Sequence, residues 1–288
     1  MSSSGTTWVW VDGRLTTDDD ARVGALDHGL TVGDGIFETC KVVDGTPFAW
    51  TRHLRRLRRS ARTLALELPW GDAALRAAAD AAVAAAASDP ANAELGVGRL
   101  RVTVTGGAGP LGSDRGEAGP TLIVAAGPSA PWPATTSVAT VTWTRNERSA
   151  VAGAKTTSYA ENVVALADAH RRGASEAIFA NTVGALCEGT GSNLFVVVDG
   201  ELCTPSLATG CLAGITRELV CELVPVVERD DLTFDHLRHA PEAFLTSSTR
   251  DVHPIAAVDG ATLAHAPGPR TAAAAAAFAT LERAGLDP

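Results

Sequence analysis

The stretch GAKTTSYAEN, residues 153–162, holds one of two lysines in a chain of 288 residues and its only tyrosine. The other lysine is Lys41, and every further basic residue among the 24 Lys plus Arg is arginine. Arginine matches lysine for surface charge, but it stays protonated and does not readily form an imine. A sequence that writes its positive charges as Arg yet keeps Lys155 reads as needing an amine at that place. The plain alternative is a solvated surface lysine.

Working outward, SYAENVVALADAHRRG carries helical spacing. A helix starting near Thr157 would bring Lys155 and Tyr159 close together around its N-terminus. Upstream, VATVTWTR reads as a strand, as do EAIFAN and SNLFVVVDGELCTP downstream. GITRELVCELV and RTAAAAAAFATLERAG read as helices, with the strand AFLTSS between them. In the first half, WVWVDGRL and GIFETCKVVDGTPFAW are hairpins with Asp-Gly turns. TRHLRRLRRSARTLAL spaces Leu54, Leu57, Ala61 and Leu64 helically, with Thr51 as its expected N-cap. DAALRAAADAAVAAAAS is a second, Ala-rich helix, and GRLRVTVTGG and PTLIVAAG are strands. Strands in runs with inserted helices predict an α+β fold rather than a strict βαβ series.

The length favours two domains over one. GPSAPWPATTS, residues 127–137, is rich in Pro, Ser and Thr, has no periodicity, and reads as the linker. The expected division is a domain over residues 1–126, the linker over 127–137, and a domain over 138–288 carrying Lys155.

Composition excludes several classes. A net charge of −9 argues against a general nucleic-acid binder. No apolar run reaches the roughly 18 residues of a membrane span. The start lacks a basic segment followed by a long apolar run, so it does not read as a signal peptide. Five cysteines without a C-x-x-C pair suggest neither a disulfide framework nor a zinc site, and no metal is expected. Reduced thiols fit a cytoplasmic protein.

An imine-forming lysine points to pyridoxal 5′-phosphate or to an aldolase-type carbonyl substrate. The cofactor makes demands that other stretches can meet. Its phosphate needs N–H donors and a cation, and GCLAGITRELV offers glycines before a helix N-terminus, with the Thr216 hydroxyl. Its pyridine nitrogen needs a partner, and Glu188 in LCEGTGSNLF is a candidate. Tyr159 is a candidate for the phenolate oxygen. RHLRRLRRSAR supplies six arginines in eleven residues, mostly a solvated helix face, from which one can reach a phosphate bidentately. Other motifs fail: AGAKTTS is no P-loop because Ala154 precedes the lysine, DHGLTVGDG contains no G-x-G-x-x-G, and no G-x-S-x-G elbow occurs.

Six blocks occur in one order: DHGLTVGDGIFET, RHLRRLRRSA, KTTSYAEN, EGTGSNLF, CLAGITR and TSSTRDVHPI. Together they span about residues 10–260 and resemble the class IV, fold-type IV pyridoxal-phosphate enzymes. That family contains branched-chain, D-amino-acid and (R)-amine aminotransferases and 4-amino-4-deoxychorismate lyases. The resemblance implies a small N-terminal α/β domain and a larger C-terminal domain, with the cofactor between them, in a homodimer.

It also implies residue roles. Lys155 matches the Schiff-base lysine and general acid/base. Glu188 matches the pyridine carboxylate, and Arg56, from the H-x-x-R-L pattern, a phosphate ligand. Leu212 matches the residue packed on the ring face, Ile215 and Thr216 the phosphate-binding helix start, and Thr249 a second phosphate contact. Tyr159 follows the lysine by four residues, where branched-chain enzymes usually have five. The Arg of the VTRG trap of D-amino-acid enzymes is replaced by Gly106, which leaves Arg115 and Arg250 as candidate ligands of a substrate carboxylate. The resulting expectation is a transaminase moving an amino group from a D-amino acid or (R)-amine to a 2-oxo acid. The alternatives are the lyase, giving 4-aminobenzoate and pyruvate, and a non-catalytic cofactor-binding homologue.

Overall fold

Asp-Gly pairs punctuate the strands, and their backbone shows why. Asp12 and Gly13, like Asp44 and Gly45, both take positive φ, the geometry that lets a two-residue turn follow the twist of a hairpin. A computed structural model of the chain describes residues 5–288. These fall into two compact units: the chain up to Pro131 with Ala154–Ser158 and Leu286–Pro288, and Trp132–Gly153 with Tyr159–Gly285. The division lies inside the stretch 127–137, and the five residues around Lys155 group with the first unit.

The first unit contains β1 (Trp8–Val11), β2 (Arg14–Thr17), α1 (His28–Thr31), β3 (Gly35–Val43), β4 (Thr46–Pro47), α2 (Trp50–Thr63), α3 (Asp72–Ser88), β5 (Arg99–Thr105) and β6 (Thr121–Gly127). Its antiparallel sheet has the order β2-β1-β6-β5-β3-β4. Residues alternate between faces. Ile36, Cys40, Leu100, Val102, Val104, Leu122 and Val124 pack with Leu54, Leu57 and Ala61 of α2 and with the alanine face of α3. Phe37, Thr39, Arg101 and Thr103 therefore lie on the other face, with Phe37 opposite Thr103 and Thr39 opposite Arg101.

Thr51 is not the cap of α2. The helix starts at Trp50 after Ala49 in a left-handed conformation. Thr51 lies in the first turn, where its N–H and hydroxyl donate to the Asp287 carboxylate at 2.9 and 2.5 Å.

The second unit contains β7 (Thr136–Arg145), α4 (Ala160–Arg171), β8 (Glu176–Asn181), β9 (Leu186–Gly189), β10 (Asn193–Val198), β11 (Glu201–Pro205), α5 (Ile215–Leu223), β12 (Val227–Arg229), α6 (Phe234–His239), β13 (Ala243–Ser247), β14 (Asp251–Val258), β15 (Ala261–Thr262) and α7 (Pro269–Ala284). Its sheet runs β12-β11-β10-β13-β14-β7-β8-β9, with β15 on β14. β7 and β8 are parallel, with α4 lying between them in the chain, while β8–β9 and β10–β13–β14 are antiparallel. The mixture is the α+β class expected from the sequence. Phe195 and Phe244 stack 4.7 Å apart in this unit's core.

The helix expected from Thr157 begins later, at Ala160, with Tyr159 at its N-cap position. Residues 155–157 pair instead with β3. Phe37 N–H donates to the Lys155 carbonyl at 3.0 Å, and Thr157 N–H donates to the Gly35 carbonyl at 2.8 Å. Backbone pairing to a buried strand has overridden the local helical pattern. Among the described residues no helix is long and apolar enough to cross a membrane.

Candidate active site

In the first unit, Lys155 is held from both sides of its peptide. Its carbonyl accepts from Phe37, and its N–H donates to Ser60 Oγ of α2 at 3.0 Å. Its Nζ lies 4.3 Å from the centre of the Phe37 ring, on the sheet face away from the core. Gly35 makes this pairing possible. A Cβ there would meet Thr157 Oγ1 at 2.9 Å and the Val104 carbonyl oxygen at 3.0 Å.

On the opposite face of β3, the neighbouring residue Glu38 is buried. Arg56 Nε donates to its Oε1 at 2.8 Å and Arg56 Nη2 to its Oε2 at 2.7 Å. His53 Nδ1 lies 2.7 Å from Oε2. An ionised carboxylate only accepts, so Nδ1 is the donor. Burial alone would push the Glu38 carboxyl up, but the Arg56 guanidinium and the His53 contact outweigh it and hold it at about 2. His53 is pushed down by burial, against the pull of Glu38, and is neutral at pH 7. His53, Arg56 and Ser60 share one face of α2 by their spacing, so one helix face serves both Glu38 and Lys155.

Arg101 was not singled out by sequence. Its guanidinium carbon lies 3.7 Å from the centre of the Phe37 ring, in cation–π contact. The alternation of RLRVTVT separates Arg101 from the core residues. Only the pairing of β5 with β3 brings it beside Phe37.

Arg115 is engaged within the first unit. It grips Asp34 through two 2.7 Å hydrogen bonds and donates to the carbonyls of Leu64 and Ala65 at 2.8 and 2.6 Å. The Arg115 hydrogen bonds lower the Asp34 carboxyl below its ordinary range.

In the second unit, Glu188 stands on β9 opposite Phe179 of β8. Its Oε2 accepts from Leu212 N–H at 2.8 Å, and Arg145 Nε lies 3.3 Å from its Oε1. Arg145 packs over Phe179 at 4.4 Å and donates to Asn162 and Glu161. The loop running from Leu212 into α5 is tied back by Asn193, whose Nδ2 donates to the Leu212 carbonyl at 2.8 Å. Gly214 caps α5 without a side-chain hydrogen bond, so the first-turn N–H groups of Ile215 and Thr216 have no side-chain cap. Helix N-termini of this kind favour anions.

Thr249 lies in the turn between β13 and β14. Arg250, beside it, packs on the Trp132 ring at 3.8 Å and sits 3.6 Å from Glu176 and 3.3 Å from His253 Nδ1. Its side chain is 7 % exposed, so Arg250 serves the packing of this unit. Glu176 is saturated by Thr190 and Ser192 as well.

Residue by residue, the donor types fit pyridoxal 5′-phosphate. They comprise a lysine amine, a buried arginine with an oriented guanidinium, a helix start lacking a side-chain cap, and a carboxylate between an arginine and a backbone N–H.

A profile of the family described as amino-transferase class IV matches residues 35–258. A branched-chain-amino-acid aminotransferase of Pseudomonas aeruginosa is 30 % identical over 269 residues, covering 88 % of this chain and 85 % of that one. A D-alanine aminotransferase of Listeria innocua is 29 % identical over 291 residues, covering 92 % of each. Among solved structures, the branched-chain aminotransferase of Thermoproteus uzoniensis with norvaline superposes with a TM-score of 0.81 at 29 % identity, covering 96 % of this chain and 95 % of that one.

Proposed function

The chain belongs to the class IV aminotransferases, enzymes that use pyridoxal phosphate, and on that premise we propose that it moves an amino group from a D-amino acid or (R)-amine to a 2-oxo acid. The cofactor, when bound, supplies the electron sink that makes the substrate's α-proton removable. Lys155 would hold the cofactor covalently through Nζ, and once the substrate amine displaces it the freed Nζ would take up and give back the substrate's proton. Glu188 would engage the pyridine nitrogen, with Arg145 Nε 3.3 Å from its Oε1. Arg56, Thr216, Thr249 and the backbone N–H of Ile215 hold the phosphate. Leu212 packs on the ring, and Tyr159 serves the phenolate oxygen. The working form is a cytoplasmic homodimer.

One observation carries the substrate class. The Lys155 amine and the Arg101 guanidinium both lie against the Phe37 ring, so they are no farther apart than the sum of 4.3 and 3.7 Å. In an amino or 2-oxo acid the carboxylate is bonded directly to the carbon whose nitrogen is exchanged. A cation at that range suits such a carboxylate, and Arg binds it bidentately. We assign this role to Arg101, which donates from Nε to Thr103 Oγ1 at 3.2 Å, in place of Arg115 and Arg250, because it shares the Phe37 ring with the Lys155 amine. The four-residue spacing from Lys155 to Tyr159 and the D-alanine aminotransferase relative favour D-donors.

A second reading has L-branched-chain donors, favoured by the Pseudomonas and Thermoproteus relatives. A donor panel with 2-oxoglutarate as acceptor decides between them. D-alanine or (R)-1-phenylethylamine turned over faster than L-leucine and L-valine supports the proposal. The reverse order replaces it. Formation of pyruvate and 4-aminobenzoate from 4-amino-4-deoxychorismate, without any half-reaction on amines, makes the protein a lyase.

A further inference from the structure

Arg56 has a partner that the assigned roles leave unused. Glu38 lies behind it on β3, gripping the Nε–Nη2 edge of the guanidinium through both carboxylate oxygens. All three side chains of the Glu38–Arg56–His53 cluster are nearly or fully buried. With His53 neutral, the cluster carries one negative and one positive charge. Such a pair stabilises little by itself, because desolvation offsets most of the attraction. What it does fix is direction. A guanidinium is a planar fork with more than one edge for bidentate contact. With one edge bound to a carboxylate on a rigid strand, the plane and position of the other edge are set.

We infer that Glu38, supported by His53, is a positioning residue that aims Arg56 at the phosphate of the cofactor. The inference rests on the phosphate role proposed above for Arg56. His53 acts one step further back. Its Nδ1–H takes a lone pair of Oε2 and stops the carboxylate from turning away from the guanidinium. Lys155 lies within electrostatic reach of His53, but the Glu38 carboxylate accepts from Arg56 and His53, so the effect of replacing it is expected at the phosphate end.

Apoprotein titrated with pyridoxal 5′-phosphate and, separately, with pyridoxal tests this by absorbance. In Glu38→Gln the affinity for the phosphorylated form is expected to fall roughly 10–100-fold, the range typical of groups that orient a ligand-binding side chain. The affinity for pyridoxal is expected to stay within twofold of wild type, since pyridoxal has no phosphate to misplace. Glu38→Asp keeps the charge with a shorter arm and should show a smaller loss of the same selectivity. In an Arg56→Met background, Glu38→Gln should cost nothing further, and that pair leaves no buried charge unpaired should the single variant fold poorly. Equal loss for both ligands, no loss for either, or a further loss in the Arg56→Met background each overturns the inference. Wild-type protein that binds no pyridoxal phosphate defeats the parent reading as well. Normal wild-type binding with an unaffected Glu38→Gln defeats this inference alone.

Discussion

Phe37 and Glu38 are consecutive residues of β3 that serve opposite faces of one sheet, and each holds a cationic side chain of the candidate site. Phe37 takes the Lys155 carbonyl on its N–H and has the Lys155 amine over its ring. Glu38 grips Arg56. Lys155 and Arg56 are far apart in sequence, yet one peptide unit of a buried strand links their supports. Strands alternate sides at every residue, so two functions can be placed back to back without a loop between them. A strand interior is also a firmer support than a loop.

Removing the amine should remove the chemistry. Lys155→Ala is expected to slow the half-reaction with an amino donor by at least 10²–10⁴-fold, the usual worth of a positioned general acid/base. Lys155→Arg should not recover it, because arginine keeps its proton. Single-turnover absorbance of the loaded enzyme reports both, and added ethylamine should restore part of the Lys155→Ala rate. A Lys155→Ala variant that transaminates at the wild-type rate excludes the proposed mechanism.

Arg101→Met keeps an unbranched apolar stem and removes the guanidinium that lies over Phe37. A charge-assisted hydrogen bond is worth about 1.5–3 kcal/mol, so kcat/KM for carboxylate-bearing donors should fall roughly 10–100-fold. The half-reaction with (R)-1-phenylethylamine, which has no carboxylate, should change by less than threefold. A uniform drop across both donors would mean that Arg101 supports the sheet and not the substrate.

Acid should destabilise the protein in two stages. The Glu38 carboxyl has its folded value held at about 2, below the ordinary 4.5. Its contribution is complete above 4.5 and is lost as pH falls towards 2, of order 3 kcal/mol in all. His53 is depressed too, by burial first. Below about pH 6.5 the unfolded chain takes up a proton that folded His53 refuses, so stability starts to fall there, before any carboxylate titrates. His253, also pushed down by burial, adds to this first stage from the second unit. Melting temperatures measured from pH 8 to 3 should show both stages. His53→Gln should shrink the first and, because His53 also helps hold the Glu38 carboxyl down, move the second to slightly higher pH, whereas an unchanged decline between pH 7 and 5 in that variant rules the assignment out.

What could be read in the sequence was local. Lys155 stood out by its rarity, Glu188 by the turn that follows it, and the start of α5 by glycines before a helical pattern. Partnerships across the chain were not visible. Nothing in RLRVTVT says that β5 pairs with β3 in the register that sets Thr39 opposite Arg101. Nothing in GIFET says that Glu38 meets an arginine on the following helix. The short strand β9 is too brief to show alternation, and Pro254 argues locally against β14, where it sits opposite Phe244. The start of α4 falls later than local spacing predicts because residues 155–157 pair with β3, a tertiary contact that local spacing cannot report.

Gly35 offers the sharpest test of that pairing. Its φ is ordinary, so a side chain is excluded by space and not by backbone conformation. An alanine Cβ would press on Thr157 Oγ1, which can rotate, and on the Val104 carbonyl, which belongs to a buried strand and cannot. Overpacking of this kind costs about 1–3 kcal/mol, and the cheaper relief is for the 154–158 segment to lift off β3. Gly35→Ala should therefore remain folded with a melting temperature a few degrees lower, while borohydride trapping of pyridoxal phosphate on Lys155 slows markedly. Thr157→Gly added to Gly35→Ala should recover part of the trapping rate but not all, because the Val104 contact remains. Full trapping in Gly35→Ala would show that the amine keeps its place without the pairing.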